Sequence, residues 1–248
     1  MTFDSPIAPH ASAAPAFEPL VSDPASGLGY CLRRAAGGVP SARVLLLHGV
    51  GGNERNLEAL ARGIDPRVEV LLVRGPLTLG PGQFAWFQVS FAGGEPSINA
   101  AQADQSRTRL ITLIRSIRAS GETNPSSNPT SIVPVVIAGF SQGGIMSASV
   151  GLSAPDAVRG FGLLSGRILP EIRPLLAPRE ALAHVNAFVA HGEYDNKLPV
   201  EWAQRADALL TEQGLPLTSR RYPIGHEING DMASDFIEWL HPVLAISQ

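Results

Sequence analysis

Short apolar runs alternate with longer amphipathic segments from residue 43 almost to the end of the chain. Runs such as "RVLLLHGV" and "VPVVIAGF" are almost wholly apolar, which is typical of strands buried on both faces. We predict strands over 29–35, 43–50, 68–75, 133–140, 158–166, 186–193 and 217–224, the first at an edge. We predict helices over 53–64, 98–119, 142–152, 200–213 and 231–240. This order predicts an α/β fold, in which a mostly parallel sheet carries helices on both faces.

The composition fits one globular domain. Of 248 residues, 44% are hydrophobic and 17% are charged, and the net charge is −3. We assign 24–248 to a single domain and 1–23, rich in Ala, Pro and Ser, to a flexible arm. The charge balance offers no basic footprint for nucleic acid. Since we find neither a run long enough to span a bilayer nor a signal-peptide pattern, we expect a cytoplasmic protein without stable membrane insertion. The oligomeric state stays open, a homodimer included.

The stretch "AGFSQGG" places Ser141 directly after a predicted strand and at the start of a predicted helix. In parallel sheets, ligands bind where the strands end. A G-x-S-x-G sequence between strand and helix is typical of a serine nucleophile held on a sharp turn. Gly139 and Gly143 would let strand and helix approach closely around that turn. A second interpretation remains at this point, because a serine at a helix start also acts as an N-cap.

A nucleophilic serine needs a base, and the base needs an acid that orients it. His226 follows the last predicted strand, and Asp195 follows the strand before it. The chain order Ser141, Asp195, His226 is the order found in α/β-hydrolases. We interpret His48, which lies in an "HG" pair, as a structural residue that orients a loop through a ring nitrogen.

A tetrahedral intermediate also needs two N–H donors. We predict that the amide of Gln142, at the helix start, is one of them, and that the amide of Val50 is the other. Val50 lies in the glycine-rich loop "HGVGGNE". This loop lacks both the lysine of a P-loop and the glycine spacing of a dinucleotide site, so we do not interpret it as a phosphate cradle.

Together these segments resemble the phospholipase/carboxylesterase family of α/β-hydrolases, which includes acyl-protein thioesterases. The resemblance runs over about 44–240 and rests on "LLLHGVGGNE", "RGPLTLGPGQFAWFQV", "AGFSQGG", "AHGEYDNKLPV" and "YPIGHEI". It implies an α/β-hydrolase fold that cleaves carboxylic ester or thioester bonds without metal or cofactor. It also implies that Ser141, Asp195 and His226 form the triad, with Val50 and Gln142 as oxyanion-hole amides.

The chain departs from the family pattern at three places, none of which touches the triad. Arg74 and Gly75 stand where an Ala-Pro pair is usual, the loop over 121–130 is long, and the N-terminal arm has no counterpart.

The substrate is less well defined by the sequence than the chemistry. We expect Phe84, Trp86, Phe87 and Phe91, in a long stretch without regular period, to line a pocket for a small-molecule ester. The alternative, that this stretch packs on the core as a flap, stays open. We predict an esterase for small or medium acyl esters. A thioesterase or lysophospholipase is the alternative within the class, and a non-catalytic binding protein is the alternative outside it.

Overall fold

The computed structural model describes residues 16–90, 97–121 and 133–246. Its strands are β1 (Val21–Ser22), β2 (Gly29–Arg33), β3 (Ala42–Leu47), β4 (Val68–Val73), β5 (Leu77–Gly80), β6 (Gln83–Ala85), β7 (Val89–Ser90), β8 (Ser97–Ile98), β9 (Val135–Phe140), β10 (Gly160–Leu164), β11 (Asn186–Gly192) and β12 (Leu217–Tyr222). Its α-helices are α1 (Glu58–Arg62), α2 (Ala100–Gly121), α3 (Gln142–Ser153), α4 (Arg179–Leu182), α5 (Glu201–Glu212) and α6 (Gly230–Val243), with 3-10 turns over Glu54–Leu57 and Pro170–Leu175.

Eight of these strands form one sheet in the order β1-β2-β4-β3-β9-β10-β11-β12. From β4 to β12 every neighbouring pair is parallel, while β1 and β2 add antiparallel strands at one edge. The central strands are buried along nearly their whole length, as their apolar runs predict. The predicted α/β class, with a mostly parallel sheet, is therefore confirmed.

Helices cover both faces of the sheet because each strand sends alternate side chains into two separate cores. One core holds the apolar faces of α2, α3 and α5. The other holds those of α1 and α6, where Phe188 of β11 packs against Phe236 and Trp239. The 3-10 turn before α1 begins after Asn53, whose side chain accepts a hydrogen bond from the Arg55 amide, as the N-cap position requires.

The strand order reverses direction beside β3. The chain adds β4 on one side of β3 and later returns to add β9 on the other side. Loops that leave two strands at such a switch point diverge and open a crevice at the carboxyl ends of the strands. The loops after β3 and β9 border this crevice, and the loops after β10, β11 and β12 open at the same edge of the sheet.

The N-terminal segment differs in part from the predicted arm over 1–23. Residues 1–15 lie outside the described part of the chain. Beyond them, β1 pairs with β2, and Phe17 packs against the core that α1 and α6 cover. The Asp23 carboxylate accepts hydrogen bonds from Ser26 and from Ser116 of α2. The composition of this segment did not predict these contacts, because β1 has only two residues and a single aspartate gives no recognisable pattern.

Further elements have no regular period in the sequence. The ribbons β5-β6 and β7-β8, the 3-10 turn over Pro170–Leu175 and α4 lie where we predicted loop, apart from Ile98 of β8, which we assigned to the start of the helix over 98–119. The ribbons occupy the long stretch that we associated with the substrate pocket.

The turn between β9 and α3 is crowded by backbone. A Cβ on Gly143 would lie 2.7 Å from the His48 carbonyl oxygen and closer still to that of Leu47. A Cβ on Gly139 would lie 2.7 Å from the Leu47 carbonyl oxygen. Both glycines are therefore required by the approach of three backbone segments, which cannot give way as a side chain would.

We predict that Gly143→Ala lowers the free energy of unfolding by about 3 kcal/mol or more, because an added methyl group meets rigid carbonyl groups. Gly230→Ala is the matched control, since a Cβ there would have no atom within 4 Å. The control should be neutral or stabilising by up to about 1 kcal/mol. Urea unfolding monitored by circular dichroism measures both changes, and a Gly143→Ala variant as stable as the control would contradict the steric argument.

Candidate active site

Ser141 occupies the turn between β9 and α3 in a backbone conformation that few side-chain-bearing residues adopt. Its φ is 55° and its ψ is −116°, and its amide donates to the Leu164 carbonyl at 2.8 Å. Its side chain makes no capping hydrogen bond to α3. The N-cap interpretation therefore does not describe this hydroxyl, which points to a histidine instead.

The structure brings Ser141, Asp195 and His226 together. Ser141 Oγ lies 2.9 Å from His226 Nε2, and His226 Nδ1 lies 2.6 Å from Asp195 Oδ2. An ionised carboxylate only accepts hydrogen bonds, so Nδ1 carries the proton and Nε2 accepts from the hydroxyl. The Phe140 ring supports the imidazole from one side, with the ring centroids 4.9 Å apart.

Asp195 is buried and held as a carboxylate. Its Oδ1 accepts hydrogen bonds from the Lys197 and Leu198 amides, both at 2.9 Å. Burial by itself raises the pKa of this carboxyl group. The hydrogen bonds from His226, Leu198 and Lys197 outweigh burial and hold the pKa below its ordinary value.

The loops that carry Asp195 and His226 are tied together by backbone. The Glu193 amide donates to the Tyr222 carbonyl at 2.8 Å, and the Tyr194 amide donates to the Ile224 carbonyl at 3.0 Å. A Cβ on Gly192 would collide with the carbonyl oxygens of the His226 loop. The two side chains therefore meet because both loops leave adjacent parallel strands and remain paired beyond them.

The two predicted oxyanion donors lie on either side of the crevice. Gln142 is the first residue of α3, and Val50 belongs to the loop after β3, where Gly49 packs against Ser141. The next two amides of that loop are already engaged, since Gly51 donates to Phe84 and Gly52 donates to Gly49. Within the part of the chain that the structure describes, the Val50 and Gln142 amides have no hydrogen-bond partner.

The side chain of Gln142 has a role that the sequence analysis missed. Its Oε1 accepts from the Trp86 amide at 2.8 Å, and its Nε2 donates to the Phe87 carbonyl at 2.7 Å. This buried amide group ties the start of α3 to the segment between β6 and β7. The sequence offered no signal for this role, because both partners of the side chain lie more than fifty residues away in the chain.

His48 orients a loop through its ring nitrogens, as predicted. Its Nε2 accepts from the Gly75 amide at 2.9 Å, and its Nδ1 donates to the Gly49 carbonyl at 2.7 Å. Burial lowers its pKa, so the ring is neutral. Gly75 is one of the departures from the family pattern, and a proline there could not donate this hydrogen bond. Its neighbour Arg74 forms a bidentate ion pair with Glu54.

A second histidine, His191, contacts Asp195 and the loop that carries it. Its Nε2 donates to the Leu198 carbonyl at 2.7 Å and lies 3.3 Å from Asp195 Oδ2. Burial lowers the pKa of His191 as well. A neutral His191 holds the Asp195 loop in shape without competing with His226 for the carboxylate charge.

A cleft of about 880 Å³ opens beside Val50. Its wall joins the ends of the two ribbons to the start of α2. The lining residues are Val50, Leu79, Ala85, Phe87, Gln88, Val89, Ser90, Ser97, Ile98, Asn99 and Ala100. Val50, which lines the cleft, directly follows Gly49, which packs against Ser141, so the cleft opens beside the loop that borders Ser141.

The four predicted aromatic residues do not share one role. Phe87 lines the cleft. Trp86 is fully buried, its indole N–H donates to the His48 carbonyl, and it packs in the core rather than lining the cleft. Phe84 lies under the Arg74 guanidinium, 4.4 Å from ring centroid to Cζ. Phe91 lies outside the described residues. The flap interpretation therefore holds for Trp86, because its polar groups all find protein partners.

Residues 16–90, 97–121 and 133–246 contain neither a membrane-spanning helix nor a cluster of metal-ligating side chains. None of the helices there combines the length and the apolarity needed to cross a membrane. Nor does that part of the chain hold three or more His, Cys, Asp or Glu side chains grouped as metal ligands.

The sheet order and the turn after β9 define an α/β-hydrolase. Residues 35–244 match the phospholipase/carboxylesterase family, and the chain belongs to that family of hydrolases. It is 26% identical over 196 residues to the putative hydrolase MhqD of Bacillus subtilis (strain 168), covering 79% of this chain and 90% of the relative. It is 28% identical over 196 residues to acyl-protein thioesterase 1 of Mycosarcoma maydis, covering 71% of this chain and 78% of that relative. The structure of a carboxylesterase from Mesorhizobium loti superposes with a TM-score of 0.71 at 22% identity, covering 90% of this chain and 97% of that one.

The two buried histidines make stability depend on pH. Their pKa values lie below the ordinary value of about 6.5, which the unfolded chain keeps. Below that pH the unfolded state binds more protons than the folded state, so acidification favours unfolding. We therefore predict a lower melting temperature at about pH 5.5 than at about pH 7.5 in calorimetry.

His48→Gln should reduce this pH difference, because one of the two imidazoles is removed. His184→Gln, at an exposed histidine, is the control for loss of a ring. A melting temperature that rises on acidification would show that these rings are protonated in the fold.

Proposed function

We propose that the protein is a serine hydrolase that cleaves carboxylic esters through an acyl-enzyme. The observation that carries the proposal is the continuous hydrogen-bonded chain from Ser141 Oγ through His226 to Asp195. The distances within this chain suit proton transfer from the hydroxyl to the imidazole, with the carboxylate orienting the ring. Membership of the phospholipase/carboxylesterase family supports the same chemistry.

In the first step, Ser141 Oγ attacks the acyl carbon while His226 Nε2 accepts its proton. Asp195 keeps the imidazole oriented and stabilises the imidazolium that forms. The unengaged amides of Val50 and Gln142 donate hydrogen bonds to the oxyanion. The positive end of the α3 dipole further stabilises this negative charge. His226 then protonates the leaving alcohol. Water attacks the acyl-enzyme by the same route, so no step calls for a metal or cofactor.

The cleft beside Val50 supports an ester with an apolar part of small or medium length. Val50, Leu79, Phe87, Val89 and Ile98 supply its apolar surface. The volume of about 880 Å³ exceeds what a short acyl group fills. The alternative of a thioesterase uses the same triad and is supported by the similarity to an enzyme named acyl-protein thioesterase. Comparing an acyl-CoA or S-acyl peptide with the matching oxygen ester distinguishes the two.

We predict that Ser141→Ala lowers kcat on p-nitrophenyl butyrate by about 10⁶-fold, as expected when a triad nucleophile is removed. The melting temperature should hardly change, because the hydroxyl caps no helix amide. Ser149→Ala is the matched control, since Ser149 lies on the same helix and its hydroxyl donates to the Ile145 carbonyl. It should retain full activity, whereas near-normal activity of Ser141→Ala would refute the proposed nucleophile.

We predict that Val89→Trp shifts the preference of the enzyme toward shorter acyl chains, because the indole would fill part of the cleft. The measurement is kcat/KM over p-nitrophenyl esters of increasing chain length. The control is Val39→Trp, at a position that is 63% exposed and lies outside the cleft. An unchanged chain-length profile in Val89→Trp would mean that the acyl chain lies elsewhere.

A further inference from the structure

Arg167 lies beside the nucleophile on the side away from the cleft. It follows β10, while the cleft borders the loop after β3, and these two strands flank β9. The residue before it, Gly166, is so close to the turn that a Cβ there would lie 3.0 Å from the Ser141 carbonyl oxygen. An ester bond at Ser141 would therefore lie between the strand whose loop borders the cleft and the strand whose loop carries Arg167.

Arg167 also differs from every other arginine that the structure describes. The others are either exposed or hydrogen-bonded to a carboxylate, a hydroxyl or a backbone carbonyl. Arg167 is partly buried, yet within residues 16–90, 97–121 and 133–246 its guanidinium has neither a hydrogen bond nor an ion pair. A desolvated charge without a partner is unfavourable, and a site that keeps one is ready to receive an opposite charge.

The guanidinium is held in place by an indole. Its Cζ lies 4.7 Å from the centroid of Trp202, which belongs to the first turn of α5. Arg205 places a second guanidinium at 4.7 Å from the same ring. Burial lowers the pKa of Arg167, yet arginine stays charged at neutral pH. Two guanidinium groups therefore lie against one aromatic ring.

The surroundings of this pair are mixed in charge but leave Arg167 unneutralised. Glu171 acts on Arg167 from a distance, and its side chain is exposed and forms no ion pair with it. Lys197, the single lysine of the chain, extends from the Asp195 loop, which leads into α5. Positive groups thus lie on the two loops that border this side of the nucleophile, those after β10 and β11.

We propose that Arg167, stacked on Trp202, is a specificity residue that binds an anionic carboxylate or phosphate group carried by the ester substrate. The planar guanidinium presents N–H groups in a fork that matches two oxygens of such a group. The substrate then has two unlike parts, an apolar one in the cleft beside Val50 and an anionic one at Arg167. This inference rests on the proposed function and adds the substrate class to it.

The test compares a neutral ester with anionic esters in the intact enzyme. p-Nitrophenyl butyrate is neutral, p-nitrophenyl hemiglutarate carries a carboxylate on the acyl part, 3-carboxy-4-nitrophenyl butyrate carries it on the leaving group, and 1-butyrylglycerol 3-phosphate carries a phosphate. We expect at least one anionic ester to be preferred, and Arg167→Met to lower its kcat/KM by roughly 10- to 100-fold. The neutral ester should be hydrolysed as before. Arg167→Lys should retain part of the preference, because it keeps the charge but loses the fork.

Arg159→Met is the matched control. Arg159 is an exposed arginine that precedes β10, so the same charge is removed at the opposite end of the same strand. Arg159→Met should leave kcat/KM unchanged for both the neutral and the anionic esters. Equal effects of Arg167→Met on neutral and anionic esters, or no effect on either, would overturn the inference while leaving the esterase proposal intact.

Failure of the wild-type enzyme on every ester would instead refute the proposed function. Calorimetric titration with glutarate and with inorganic phosphate then decides the inference separately. We expect wild type and Arg159→Met to bind one of these anions and Arg167→Met to lose that binding. Equal binding by all three, or binding by none, would overturn the inference.

Discussion

The close approach of three backbone segments is the constraint on which the site depends. The end of β3, the end of β9 and the start of α3 meet at Gly139 and Gly143, where no side chain fits between them. This contact forces the turn at Ser141 into a positive φ and keeps its hydroxyl away from the helix that follows. The same contact brings Gly49 against Ser141. The proposed nucleophile and both candidate oxyanion amides are therefore positioned by one packing arrangement.

Around that turn, hydrogen bonds and burial fix the charge state of most buried groups in the site. His48 is neutral and joins two loops, and His191 is neutral and supports the loop of Asp195. The carboxylate of Asp195 is the buried negative charge of the site, and backbone amides and His226 all donate to it. Uncharged histidines around one ionised acid leave His226 as the ring that can accept a proton from the hydroxyl.

Sequence reasoning predicted the elements with strong periodicity and missed those without it. Each predicted strand of the parallel sheet is present within a few residues, since an apolar run between glycines has few other places to lie. The ribbons β5-β6 and β7-β8 were not predicted, because their strands are only two to four residues long, too short to show an alternation of apolar and polar side chains. Trp86 was misplaced for a related reason, because the partners of its two N–H groups, Gln142 and His48, are remote in sequence.

The unpartnered guanidinium of Arg167 was likewise invisible in the sequence. Its state depends on which carboxylates reach it, and sequence distance says little about that. Glu171 is only four residues away but forms no ion pair, while Trp202, much further along the chain, supports the guanidinium.

The sequence by itself determined the class of fold, the order of the site residues and the strand end that each one follows. These properties are local, because apolar periodicity, glycines and the residues after each strand are all read within a few positions. The tertiary structure decided which of these residues meet, which amides stay unengaged and which side chains of the aromatic stretch face the cleft. Those outcomes depend on contacts between segments far apart in the chain, where backbone sterics and hydrogen-bond partners select one arrangement among many.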